Sequence, residues 1–360
     1  MNLDPTETQT LLRETLRGYL ERELPFDRIR ALEREGESDV ALWKEMAAHG
    51  WLGLAFAESH GGGGGSLVDA GILAFELARR AAIVPILELV VAGRALQDWG
   101  GQPGAGLLRQ AIAGDALPVP ALLEASDRFD AVSLELRGGR LRGEKAYVDY
   151  GHLATHHLVS AQIDGAPGLC LVSASDSGVK FQPLRSIGRT PVCAVSYEGV
   201  PAQRVCGAEG LAALVRLGRA LAAVQCVASM ERALEATVRY AGVREQFGRP
   251  IASFQAVRHH CANMAMRVAS ARLLCFEALS ALDAGTATDA QVALAKASAS
   301  RAAPEVLMLA HQIHGGNGVI EENDLYFFTL RGKERSLAWG TAEECLALVA
   351  IAVAQPVEWL

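Results

Sequence analysis

Three nearly breaker-free stretches, residues 209–241, 254–284 and 287–313, dominate the second half of the chain. Each is long and rich in alanine and leucine, and a helix bundle buries their apolar faces together. Ahead of them the texture differs. Val132, Leu134 and Leu136 alternate along a run that turns at Gly138-Gly139. "HLVSAQIDGAPGLCLVSA" repeats strand–turn–strand, and "VCAVSYEGVPAQRV" supplies another alternating run. Residues 1–115 are helical again. Leu12, Leu16, Leu20 and Leu24 follow a cap at Asp4-Pro5 with Glu7. A helix starting near Asp39 carries Leu42 and Met46 and stops at Gly50, and Ser66 with Asp69 caps a further one. The expected fold class is α+β multidomain: an N-terminal α-helical domain (1–115), a middle antiparallel β domain (116–207) and a C-terminal four-helix-type bundle (208–360).

With 360 residues the chain has room for two or three such domains. Its net charge of −7 argues against nucleic acid, which needs clustered Lys and Arg. The sign alternation of "RIRALEREGE" reads as a solvated helix face. No stretch reads as a membrane span, and the polar, acidic N-terminus is unlike a signal peptide, so a cytoplasmic location is expected. Seven cysteines lack any C-x-x-C spacing and are expected to be reduced and mostly buried.

Several motifs fall away. The glycines at 61–65 lack the Gly-Lys-Ser/Thr ending of a phosphate loop and read as a flexible helix–helix loop. The histidines of "RHHC" and "THH" have no carboxylate or cysteine at ligand spacing, so no metal is expected.

Two segments carry chemistry. In "RYAGVREQFGRPIASFQ", residues 244–250 link two long helices. Arg244 offers a donor fork to phosphate or carboxylate, Gln246 an amide and Phe247 a stacking surface, although an αα-hairpin with incidental polar residues would look the same. In "HQIHGGNG", Gln312, His314, Gly315 and Gly316 end a long helix. Bare backbone there admits an anionic ligand, or simply stops the helix.

Together, and in this order, these segments resemble the acyl-CoA dehydrogenase family, and the α–β–α order extends the resemblance over essentially the whole chain. The resemblance implies α,β-dehydrogenation of an acyl-CoA thioester with FAD, passing electrons to an electron-transfer flavoprotein or similar acceptor. It also implies that Arg244, Gln246 and Phe247 reach the diphosphate and adenine half of a partner subunit's FAD. Gln312, Gly315 and Gly316 would line the same cofactor's other flank, and Thr341 would lie near its adenosine end.

The family's base is a glutamate in a Tyr-Glu-Gly-Thr turn; here that stretch is Ala338-Trp339-Gly340-Thr341. Indole donates but accepts no proton. The alternative base position of some relatives falls at Gly218, beside Arg219, which matches an arginine flanking the active site. The family's Thr-Glu-Pro turn corresponds to "LLEASD" (122–127), and its flavin-facing Trp-Ile-Thr to Tyr147-Val148-Asp149. These departures resemble the small subunits of bacterial two-component acyl-CoA dehydrogenases. A heterotetramer with a larger catalytic subunit is therefore expected, with a homo-dimer or homo-tetramer as the alternative. Two further readings stay open: a flavoenzyme using another acid (Asp149, Glu334 or Glu343), or a structural or acyl-CoA-binding subunit.

Overall fold

The computed structural model describes residues 4–354. Six helices come first: α1 (Glu7–Glu23), α2 (Phe26–Glu35), α3 (Val40–Ala48), α4 (Leu67–Arg79), α5 (Ile86–Trp99) and α6 (Gly101–Ile112). The cap of α1 is Thr6 rather than Asp4: its side chain accepts from Gln9 N, and the Gln9 side chain returns to Thr6 N. The cap of α3 lies at Asp39, and Gly50 takes a left-handed φ of 74° just beyond the helix. Ser66 and Asp69 exchange the expected pair of hydrogen bonds ahead of α4.

The strands follow as β1 (Pro118–Ala121), β2 (Glu135–Arg137), β3 (Arg140–Asp149), β4 (His156–Ile163), β5 (Ala166–Ser173), β6 (Val179–Leu184), β7 (Val192–Pro201) and β8 (Gln203–Cys206). They form one sheet in the order β6-β7-β3-β2-β4-β5-β8, with β1 on β4. Most pairings are antiparallel, while β1–β4 and β2–β4 run parallel. Both expected hairpins are two-residue turns with φ positive at each position: Gly138-Gly139, and Asp164-Gly165.

The long helices are α7 (Ala208–Val243), α8 (Gln255–Asp283) and α9 (Asp289–His314), followed by α10 (Leu325–Leu337) and α11 (Ala342–Val353). Helices α8, α10 and α11 all pack on α9. One expectation needs correction here. α7 does contain a stretch long and apolar enough to cross a bilayer, but 72% of that window is buried inside the protein. The three small-residue-rich stretches thus became core helices.

Two compact units interleave along the chain. One comprises Arg30–Ala70 and Ile83–Gly218; the other comprises the residues up to Ile29, Gly71–Ala82 and those from Arg219 on. In the first, the glycine run is a tied structure rather than a flexible loop. Gly63, Gly64 and Gly65 donate to the carbonyls of Gly53, Phe56 and Leu54 at 2.9 Å. A Cβ on Gly62 would lie 2.2 Å from Phe56 O, so only glycine fits that close approach. In the second unit, buried Arg79 donates to Glu231 (3.1 Å) and to Glu235 (2.8 and 3.0 Å) on α7. Neighbouring Glu76 accepts a bidentate pair from Arg17 of α1 (3.0 and 2.7 Å).

The sheet unit holds a second buried ion pair. Lys145 has no exposed surface, and its Nζ donates to Glu124 Oε1 (2.7 Å), Ser160 Oγ (2.9 Å) and Leu122 O (3.1 Å). Burial alone would raise the Glu124 carboxyl. Hydrogen bonds from Lys145, Ser133 and Leu134 N outweigh it and hold the group at about 2. Because this pKa lies below the ordinary 4.5, the pair's stabilisation is fully present above that pH and is lost as pH falls toward 2. Glu124→Gln should therefore destabilise the protein by roughly 3 kcal/mol at pH 7, as expected for a buried charge left without its partner. Urea melts at several pH values check this: the gap between wild type and variant should shrink between pH 4.5 and 2.

Candidate functional site

The link after α7 is a β-hairpin, a form that the sequence reading did not anticipate. β9 (Glu245–Gln246) pairs antiparallel with β10 (Arg249–Pro250), and Gln246 faces Arg249. The connecting Phe247-Gly248 has φ of 53° and 76°, both positive, as a tight two-residue turn demands. Ile251 N and Arg244 O close its base at 2.8 Å. Arg249 lies 4.3 Å over the Phe254 ring, which meets Phe247 edge-on with centroids 6.0 Å apart. Phe247 is nonetheless 93% exposed at the tip. Arg244 and Gln246 are exposed too; the Gln246 amide donates to Glu245 O, and Arg244 makes no side-chain hydrogen bond or ion pair among the described residues.

The second segment lies close by. Tyr240, one turn before Arg244, stacks on His314 with centroids 4.3 Å apart, and its hydroxyl donates to His314 O at 3.4 Å. The hairpin and the glycine end of α9 therefore leave the bundle side by side. Sequence reasoning quoted Tyr240 inside the motif without giving it this role; its helical spacing from Arg244 was the available signal. Gly315 turns with φ of 58°, and a Cβ on Gly315 or Gly316 would meet nothing within 4 Å. Gln312 is exposed. Asn323 Nδ2 donates to His314 Nδ1 at 3.3 Å, which leaves the proton on Nε2. That buried Nε2 has no hydrogen-bond partner among the described residues. Burial, followed by nearby His311, pulls His314 below the ordinary histidine pKa and keeps it neutral. A buried, unmatched donor next to uncrowded glycine backbone and an unpaired arginine suits an anionic, ring-bearing ligand. These residues fit a dinucleotide such as FAD.

The third element is the turn between α10 and α11. Ala338 is extended, Trp339 takes φ of 63° and Gly340 φ of 110°. A bulky side chain in the left-handed region costs of order 1–2 kcal/mol and persists where neighbours over-determine it. Two neighbours do so. Arg219 of α7 donates Nε to Trp339 O at 3.1 Å. Thr341 caps α11 in a capping box with Glu344, which engages its hydroxyl locally. Glu343 and Glu344 sit in the first turn of α11, where they complement the helix dipole. Gly218, buried on α7 just before Arg219, adds no side chain.

In the sheet unit, Tyr147 has φ of 52° and is 58% exposed, at a register shift where β3 bulges against β7. Asp149 pairs with Val192 in the same strand pair. Glu124, in the stretch matched to the family's Thr-Glu-Pro turn, is committed to Lys145, Ser133 and Leu134.

Comparison with known proteins gives the family. Residues 208–353 match the acyl-CoA dehydrogenase C-terminal domain, and residues 6–102 match the N-terminal domain. Acyl-CoA dehydrogenase FadE27 of Mycobacterium tuberculosis is 32% identical over 324 residues, 86% of each chain. A chain of the ChsE4-ChsE5 complex from Mycobacterium tuberculosis superposes with a TM-score of 0.92 at 29% identity, covering 99% of this chain and 100% of that one. A chain of a Tcur3481-Tcur3483 steroid ACAD variant gives 0.92 at 30% identity, covering 97% and 98%. With both terminal domains matched and the fold shared over nearly its full length, the chain belongs to the acyl-CoA dehydrogenase family, whose members are FAD-dependent oxidoreductases.

Proposed function

We propose that this chain is the subunit of a two-component acyl-CoA dehydrogenase that completes a flavin site without supplying the base. The observation that carries the reading is the Tyr240–His314 stack, which brings an unpaired Arg244, an exposed Phe247 and open glycine backbone to one end of the bundle. Arg244, Gln246 and Phe247 would hold the diphosphate and adenine half of FAD across a subunit interface; Gln312, Gly315 and Gly316 would line its other flank, and Thr341 would stand near the adenosine. The ChsE4-ChsE5 complex supports a hetero-oligomer, and the steroid ACAD supports a bulky acyl group in the substrate.

Bound FAD would accept a hydride from the acyl β-carbon. The residues of this chain would bind and orient the cofactor. Removing the α-proton requires a group that can accept it. Trp339 cannot, because its indole N–H only donates, and Gly218 has no side chain. The turn keeps its Gly340-Thr341 frame, so the position exists without the chemistry. The base, the rest of the FAD contacts and contact with an electron-transfer flavoprotein or similar acceptor then fall to a larger partner. The division into an N-terminal helical domain (1–115), a β domain (116–207) and a C-terminal bundle (208–360) is the frame for this assignment.

Purified alone, the chain should show no acyl-CoA-dependent turnover; purified with a longer paralogue that carries the glutamate, it should yield a yellow complex active on a panel that includes steroid side-chain thioesters. Turnover by the isolated chain would overturn the base-deficient reading. A colourless chain that binds acyl-CoA and never takes up FAD, even in complex, would make it a structural subunit.

In the complex, Arg244→Ala should weaken FAD binding about 10- to 100-fold, the range for losing a hydrogen bond to a charged group. Fluorescence titration of the apo-complex with FAD reads this directly.

A further inference from the structure

Lys296 lies in the middle of α9 with no exposed surface and, among the described residues, no carboxylate against it. Its three N–H groups go to Ser300 Oγ (2.7 Å), Arg335 O (3.0 Å) and Ser336 O (3.0 Å). The last two are end carbonyls of α10, where no further helical N–H is available. Ala338 N serves Glu334 O at 2.9 Å, and the lysine bonds the next two carbonyls. Three residues after Ser336 comes Trp339, whose own carbonyl is held by Arg219.

We propose that Lys296 is the positioning residue of the α10–α11 turn, fixing Trp339 from the interior through the final carbonyls of α10. An effect on acyl-CoA rests on the reading above, in which that turn faces the acyl chain.

The groups facing Lys296 make this clamp sensitive to protons. Arg219 and Cys226 approach from α7, Cys275 from α8 and Cys345 from α11. Burial raises all three thiols, so they stay neutral and supply no counter-charge. Burial, reinforced by the like charge of Arg219, brings the lysine down to about 8. A neutral amine keeps two N–H groups for the two carbonyls and can accept from the Ser300 hydroxyl, but the carbonyl bonds lose their charge assistance and weaken as pH rises through that value. The linkage to global stability runs the other way. The penalty for burying the charge is full below 8 and is relieved between 8 and the ordinary 10.5. The turn loosens while the fold as a whole does not.

The test is ¹⁹F NMR of the full chain labelled with 5-fluorotryptophan. Five tryptophans give five resonances, and Trp339→Phe assigns the relevant one. We expect the Trp339 resonance to move with a midpoint near pH 8, and in Lys296→Met to be displaced at pH 7 and flat with pH. A Trp339 resonance that ignores pH between 7 and 9 and is unmoved in Lys296→Met overturns the proposal. If Lys296→Met fails to fold, as judged by circular dichroism, Ser300→Ala takes its place. With this acceptor gone the ammonium is less well satisfied, so the midpoint of the Trp339 shift should move to lower pH; an unchanged midpoint overturns the proposal. Acyl-CoA affinity of the assembled complex separates the two levels. A moved resonance with weaker affinity supports both, and a moved resonance with unchanged affinity keeps the clamp while rejecting the placement of the turn.

Discussion

One unit of this protein is built from three separated stretches of chain, and buried charge holds them together. Arg79 and Glu76, both almost without exposed surface, stand one helical turn apart on α4. Arg79 reaches back to α7 through Glu231 and Glu235, and Glu76 takes up Arg17 of α1. Charges this deep cannot be left unmatched, since each unpaired ion carries a desolvation penalty of several kcal/mol. The network therefore specifies which stretches meet and in what register. Aromatic packing follows the same seam: Phe26 stacks on Phe327 at 5.5 Å, and Arg80 lies 4.2 Å over the Phe26 ring. Once α7 is fixed near its C-terminal end, its last turn presents Tyr240 to His314, and the hairpin follows.

Much of the architecture was legible because periodicity reports burial. The three long helices begin and end within a few residues of their apolar patterns, and Ser66 with Asp69 announced a cap by chemistry alone. The two glycine-bearing hairpins of the sheet were equally plain. What stayed hidden was whatever depends on a distant partner. The glycine run reads as slack, yet its glycines are needed because the Phe56 and Leu54 backbone approaches them. β1 carries Pro118 and Pro120 and lacks a strand-like sequence, and its place comes from parallel pairing with β4. The apolar composition of α7 cannot say whether lipid or protein covers it.

The candidate site divides in the same way. Arg244, Gln246, Phe247, Gln312 and the glycine pair stood out by residue type and order, and the structure places the two segments side by side. Their link looked like a plain helix connection because a two-stranded hairpin of two residues per strand has no periodicity to detect. The substitution at Trp339 was visible at once. Its left-handed backbone, the bond from Arg219 and the support of Lys296 were not, since these come from α7 and α9, 120 and some forty residues away. A single lysine among small residues in "VALAKASAS" was the sole trace of that support.

The Phe247-Gly248 turn has a bearing on how this segment can change over time. A two-residue connection between paired strands has no slack, and side chains on a strand alternate from face to face. Inserting or deleting one residue there would turn Gln246 or Arg249 to the opposite side and carry the phenylalanine ring off its present direction. Point substitutions can retune the tip, whereas changes of length cannot be absorbed locally. The segment is therefore a fixed ruler, and what can vary without moving it is the identity of its side chains.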